Sequence, residues 1–565
     1  MAPPFHHSFR GPTDFDHEAG HSISTGRSPT DKFGMSDKRA EVRKLVEDDL
    51  LDERYAQTKR GLKSRHVQMM ALGGSIGTGL FVSTGQALAT GGPAFLFGCY
   101  VFMASMVYCI VTAIAEIATY LPIHGGSMSY YGFRYVSRSM GFALGWLYWY
   151  AMGMLVPNEI TAAALVIGYW NPEVHIAVWI TIMLVVIIGL NCLPVRWYGE
   201  SEFWFCSLKV ITLVGLLFLS FILFWGGGPD RRRLGFHYWM DPGATKTSPP
   251  YEGDVGRIIA LLQTLILSAF AFIFVPELVV VSAGEMESPR YNVPRASRRF
   301  FFRLIFFYIL GVLSITVICP SSNQNLTSGG AGAGSSPFVA GIKHAGIPIL
   351  DSIVNAVILT SAWSSGNTFV YMSSRTLYSL AVSGNAPSVF KSCNRYGLPY
   401  VAVAVSSIFA PLTYLSAANS RSVVFNWFVH LTNTSGLTSW ICCCIIYLRF
   451  RKATDIQGVN RPYKSIVQPW GTYVALCGAT FLLLINGFHV FLPGQWSVSR
   501  FFTAYVGIPV FLALYFGHRL LFRGDPWAWD LRDIDLHTGL VEVEAADRPR
   551  RVRDRWWKKV MVLVE

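Results

Sequence analysis

The sequence predicts an all-α polytopic membrane protein with about twelve transmembrane helices. Two observations carry this. The 565 residues are 52% hydrophobic and only 14% charged, with a positive mean hydropathy of +0.38, a composition of membrane spans and not of a soluble core. Apolar runs of roughly 20 residues, each enough to cross about 30 Å of hydrocarbon, recur between polar ends. They begin near residues 65, 94, 141, 175, 201, 257, 304, 349, 399, 424, 470 and 500. A third observation refines the class: spans 1 and 6 contain residues that interrupt a helix, five spans apart, which is the spacing of an inverted-repeat transporter.

Residues 1–64 are polar, with Ser/Pro-rich and charged segments, and are expected to form a disordered cytoplasmic tail. Within it Glu41 to Arg54 has the spacing of a short amphipathic helix. Lys38, Lys44, Lys59 and Lys63 are expected acceptors for regulatory modification, which makes the ubiquitin and trafficking machinery expected partners of the tails. The amino terminus has no apolar h-region, so span 1 is expected to direct insertion.

Span 1 carries Gly73, Gly74, Ser75, Ile76, Gly77, Thr78 and Gly79. Each glycine weakens a helix by roughly 1 kcal/mol relative to alanine, and an unwound backbone in lipid leaves polar groups without partners. Such a break calls for a ligand. Entered from the cytoplasm, the span has an outer half-helix that begins near Thr78 and turns its positive end to the bilayer midplane. The amides from Ser75 to Gly79 and the hydroxyls of Ser75 and Thr78 then form a cradle for a carboxylate, and carbonyls near Ala71 to Gly73 accept from an ammonium. A glycine surface for close helix packing would use the same residues.

Ionisable residues inside spans are functional candidates, because an acid or lysine at a helix centre costs about 2.5–3.5 kcal/mol. Glu159, after Pro157 and Asn158, lies near the middle of span 3 at the depth of Gly77 and is a candidate partner for a substrate ammonium; a protonated structural glutamate is the other reading. Glu116, near the inner end of span 2, and Lys209, in span 5, are expected at similar depth, where a changing pair would couple a proton to transport and a static pair would only fasten helices.

Span 6 reads Phe270, Ala271, Phe272, Ile273, Phe274, Val275, Pro276 and Glu277. Pro276 removes one donor and clashes with the preceding turn, so a second break is expected there, with Glu277 in the first turn of a new half-helix. Phe270 and Phe274, four residues apart, are expected to share one face and wall an apolar side chain, or to pack as ordinary aromatics.

Connection 7 contains a glycine-rich stretch at 329–336, and Asn325, followed by Leu326 and Thr327, is a glycosylation acceptor on the expected outer side. The second such triplet, at Asn433, falls inside span 10 and is expected to be unreachable. Residues 521–565 form an expected cytoplasmic carboxyl tail; its bases and indoles from Arg550 to Lys559 suit either an anionic lipid surface or solvent.

Lysines and arginines concentrate in the even-numbered connections, which places both termini in the cytoplasm. The formal charge of +13 follows from that bias and gives no basis for nucleic-acid binding. Ten cysteines fall mostly in apolar spans, with no disulfide framework or zinc spacing. There is no nucleophile elbow, paired-histidine motif or phosphate loop, so no enzyme activity, metal or cofactor is expected.

At these residues the chain resembles the fungal amino-acid permeases of the amino acid/polyamine/organocation superfamily, over roughly residues 60 to 520. The likeness runs through Gly73 to Leu80, Ala115 to Pro122, Glu202 to Trp204 with Lys209, and Ala283 to Glu285 with Pro289 and Arg290. It implies a LeuT-like fold of five plus five helices in inverted repeat, two extra helices, and discontinuous helices 1 and 6, in a permease domain of residues 65–520. It also implies proton-coupled amino-acid uptake across the plasma membrane. Within the family, Phe272 to Leu278, Gly332 to Phe338 and Thr360 to Ser364 are similar to proline-specific permeases, which implies L-proline as the leading substrate. A broader neutral amino-acid permease, an exchanger and a non-transporting amino-acid sensor are the alternatives.

Overall fold

In a computed structural model, the residues described are 77–122, 127–170, 173–277, 280, 289–323, 326, 336–394, 397–540 and 543. The chain divides into Met1–Arg54 and Tyr55–Glu565, and every described residue lies in the second unit. Ser75, Ile76, Asn325, the lysine-bearing tail, the helix expected over Glu41 to Arg54 and the basic cluster after Arg550 lie outside the described residues.

The described residues are helical, without strands. Seven helices are long and apolar enough to cross a membrane, or eight if a bent pair counts as one span. In order they begin with α1 (Gly79–Tyr120), α2 (Met128–Tyr135), α3 (Arg138–Ile167), α4 (Ile176–Asn191), α5 (Val195–Phe224) and α6 (Gly253–Phe270). Then come α7 (Pro289–Arg303, continuing through a π-turn to Ile318), α8 (Pro337–His344), α9 (Leu350–Val382), α10 (Tyr400–Ala418), α11 (Arg421–Ile456) and α12 (Trp470–Ile485). The pair α13 (Val498–Tyr505) and α14 (Gly507–Leu521) is bent by 46°.

The expected junction between spans 1 and 2 falls inside α1. There Gly92 takes φ 81° and ψ 176° ahead of Pro93, a left-handed conformation open to glycine, followed by a residue that cannot continue the ladder. The turn is fastened from the long fifth connection: Ala94 N–H donates to the Ala244 carbonyl and Lys246 N–H to that of Gly91, at 2.9 and 3.0 Å. A side chain at Gly92 would meet the Ala244 carbonyl oxygen at 2.9 Å.

Helix α9 explains why hydropathy alone underrates one span. Its 33 residues reach about 50 Å at 1.5 Å each, yet it carries Ser361, Ser364, Ser365, Asn367, Thr368, Ser373 and Ser374, all buried inside the protein. A helix whose polar residues face neighbours instead of lipid loses little by carrying them. Asn433 is fully buried in α11 and donates to the Ile266 carbonyl, as its position inside an apolar span requires.

The carboxyl segment is not free where it first leaves the membrane domain. Arg134 of α2 donates to the carbonyls of Asp535 and Thr538 at 2.7 Å and pairs with the Asp535 carboxylate at 3.3 Å. Asp525 accepts from the amides of Arg138 and Ser139 at the start of α3, and Ile534 and Leu536 are buried. Burial pushes the Asp535 carboxyl up, but hydrogen bonds from Thr538 and the Arg134 charge outweigh it and hold the group below its usual range. Its contribution is therefore present above the ordinary carboxylate value and is lost only as pH falls through the lower folded one. This clasp persists at neutral pH.

Candidate functional site

The site is built where the start of α1 meets α3, α6 and α9. Gly77 lies in a bend and Thr78 is helical. The Thr78 hydroxyl donates to Glu159 Oε1 of α3 at 3.0 Å, with both residues buried. A Cβ on Gly77 would stand 3.2 Å from that oxygen and 3.6 Å from Ser365 Oγ of α9, so glycine lets the chain approach both side chains at once. Glu159, inferred from depth alone, thus touches the glycine cluster.

The second contact is with the break in span 6. Helix α6 ends at Phe270, and Ala271 to Pro276 are turns closed by three-residue hydrogen bonds such as Phe272 N–H to Ala269 and Val275 N–H to Phe272. Phe274 takes φ 61°, a left-handed conformation uncommon for a bulky residue, and such strain concentrates at binding sites. A Cβ on Gly79 would lie 2.6 Å from Ala271 Cα, so the first turn of α1 packs backbone to backbone on this segment.

The expectation that Phe270 and Phe274 share a helical face is corrected, because the helix stops at Phe270 and four-residue periodicity ends with it. Each ring is buried among different neighbours: Phe270 lies edge-on to Phe425 at 6.1 Å and Phe274 edge-on to Tyr148 at 6.0 Å. Phe274 is held by the turn, with Gly436 of α11 giving room for the adjacent Ile273.

Lys209 of α5 is buried and donates to Ser365 Oγ at 3.1 Å, and its charge acts on both Glu159 and Glu202. Glu202 accepts from the Ser364 hydroxyl at 3.0 and 2.9 Å. Two adjacent serines on α9 therefore tie the α5 charges to the α1–α3 contact. Sequence reading missed Ser365; the signal was the run of small polar residues from Ser361 to Thr368 within one span.

Glu116 belongs elsewhere, and its expected pairing with Lys209 gives way to two separate polar groups. Its carboxylate accepts from Tyr447 Oη and from Ser465 N–H, both at 2.7 Å, with Arg451 at 4.0 Å. It fastens the carboxyl-terminal end of α1 to α11 and the connection that follows. These partners lie more than 300 residues away in the chain, beyond what local pattern reveals.

Glu159 Oε2, both side-chain atoms of Asn158, and Thr161 Oγ1 are buried without hydrogen-bond partners among the described residues. Unsatisfied polar atoms of this kind each cost about 1–3 kcal/mol unless something fills their valence. All of them belong to one turn of α3, which includes Glu159, the residue that meets Gly77. Among the described residues no cluster of histidine, cysteine or acidic side chains could hold a metal ion.

The family model for amino acid permeases matches residues 66–526. The chain belongs to the amino acid permease family. The permease is 45% identical to a proline-specific permease of Emericella nidulans over 551 residues, 95% of this chain and 98% of that one. It is 46% identical to the proline-specific permease of Saccharomyces cerevisiae over 508 residues, 88% and 81% of the two chains. Its fold is similar to the crystal structure of a manganese transporter from Eremococcus coleocola, with a TM-score of 0.50 at 13% identity over 86% of this chain and 95% of that chain. The permease is accordingly a multi-pass membrane transport protein and not an enzyme.

Proposed function

We propose that the permease imports a neutral amino acid, foremost L-proline, by proton symport across the plasma membrane. The observation that carries this is the meeting of Gly77, Thr78 and Gly79 with Glu159 on one side and the Ala271–Pro276 turn on the other. In this reading the fold has twelve spans in a LeuT-like five-plus-five inverted repeat with two further helices, both termini are cytoplasmic, and helices 1 and 6 are discontinuous.

The substrate carboxylate sits on the amides from Ser75 to Gly79, where a helix start would supply partial positive charge. Its ammonium lies between Glu159 and the carbonyls freed in the span 6 turn, and the unpartnered Glu159 Oε2 supplies the acceptor. Phe274 walls the apolar ring, and Phe270 shapes the wall from behind. A secondary ammonium has two donors, which suits a site with one carboxylate oxygen and few carbonyls.

Coupling centres on Lys209, whose Ser365 contact lies against Gly77, so a proton gained or lost there is felt at the substrate cradle. Glu116 contributes by fastening the inner ends of α1 and α11. The similarity to two proline-specific permeases supports the substrate assignment, and Asn325 and the tail lysines remain proposed modification sites.

The test is uptake of labelled proline in permease-deficient cells, with unlabelled proline, alanine, γ-aminobutyrate, arginine and glutamate as competitors. Proline is expected to compete fully and the two charged amino acids weakly. Failure of labelled proline to enter would overturn the substrate assignment.

A further inference from the structure

We propose that Glu277 is a second proton site of the transport cycle, exchanging its proton through a small cavity on the cytoplasmic side of the substrate site; this rests on the proton-symport reading above.

Glu277 follows the span 6 turn directly and is buried. Oε1 accepts from the Ser439 hydroxyl at 2.6 Å, and Oε2 has no hydrogen-bond partner among the described residues. The indole N–H of Trp440 lies beside the same carboxyl, itself without a partner among the described residues. Glu277 lines a cavity of about 40 Å³ together with Ser127, Met128, Tyr148, Met152, Met372 and Thr376. A cavity needs about 10–15 Å³ of such space to hold a water, with two to four polar partners. Ser127, Tyr148 and Thr376 are the hydroxyl-bearing residues of the otherwise apolar lining, and with the Glu277 carboxyl they are the groups available to partner a water there. Ser127 immediately precedes the short helix α2, which follows the inner end of span 2, and on the topology proposed above this places the cavity on the cytoplasmic side.

The same carboxyl is linked to the substrate wall. Tyr148 stands edge-on to Phe274 at 6.0 Å, and its hydroxyl lies 2.8 Å from Ser439 Oγ. Because Ser439 gives its one proton to ionised Glu277, it must accept from Tyr148. Tyr148, Ser439 and Glu277 thus form a directed chain that begins at the ring expected to touch substrate. A ring displaced at Phe274 moves Tyr148, weakens the support of the carboxylate and favours its protonated form. In the reverse step the proton on Oε2 passes to a water in the cavity as hydronium, and the carboxylate left behind again accepts from Ser439. The titratable groups facing Glu277 are Tyr148 from α3 and Cys443 and Cys444 from α11, types whose ordinary values lie far above that of a carboxyl.

The test uses the full-length chain in proteoliposomes with labelled proline. The wild-type chain must first accumulate proline under an acid-outside gradient; absence of any gradient response there defeats the symport reading itself, independently of Glu277. Glu277→Gln is expected to lower gradient-driven accumulation about tenfold or more, a loss of at least about 1.4 kcal/mol of coupling, while counterflow exchange at equal pH stays within about twofold of wild type. Thr376→Val, which dries the cavity without touching the carboxyl, is expected to slow gradient-driven uptake several-fold and to spare counterflow. Gradient-driven accumulation by Glu277→Gln equal to that of wild type would overturn the proposal. Loss of counterflow together with accumulation would overturn it too, since Glu277 would then be a binding or structural residue.

Discussion

Gly77→Val is expected to abolish proline uptake while the protein still reaches the cell surface. The first added carbon stands 3.2 Å from Glu159 Oε1, closer than most real contacts of that kind, and at ordinary contact, 3.6 Å, from Ser365 Oγ, and the two further methyls of valine must enter the same space. Overpacking of this sort costs about 1–3 kcal/mol, little for a membrane domain of this size to absorb, but it falls on the substrate cradle. It pushes Glu159 and Ser365 away from the positions that receive ammonium and orient Lys209. Uptake and surface biotinylation measured on the same cells check this; normal transport by the variant would move the site elsewhere.

Glu159→Gln carries the second large effect. The carboxylate accepts from Thr78 through one oxygen and has its other oxygen unpartnered among the described residues. A charge-assisted hydrogen bond to an ammonium contributes about 1.5–3 kcal/mol, so removing the charge is expected to raise the KM for proline roughly 10- to 100-fold. The amide keeps the shape and still accepts from Thr78, which separates loss of charge from loss of packing. Glu159→Asp, shorter by one methylene, should retain part of the affinity. Unchanged KM in the glutamine variant would assign Glu159 to structure alone.

Much of this site was legible because membrane insertion makes certain residues conspicuous. Glycines in span 1, a proline in span 6 and an acid in span 3 each carry a penalty in lipid, and depth counted from span ends brings Glu159 level with Gly77. The Phe270 and Phe274 pairing was misread for the reason that makes the turn important: helical periodicity holds only while the helix lasts, and it stops at Phe270. The partners of Glu116 were illegible because Tyr447, Ser465 and Arg451 come from a remote part of the chain. The packed carboxyl segment escaped notice since Ile534 and Leu536 form too short an apolar pattern to announce a docking strand of chain. Ser364 and Ser365 were visible as letters, but their roles depend on which face of α9 meets α5 and α3.

The central claim is that substrate occupies the space between the start of α1, Glu159 and the span 6 turn. A structure of the full-length protein determined with L-proline bound tests it most directly. The carboxylate is expected on the amides from Ser75 to Gly79, the ring nitrogen at Glu159 and the ring against Phe274. Proline found away from Gly77 and Glu159, with the α1–α3 contact unchanged, would contradict it.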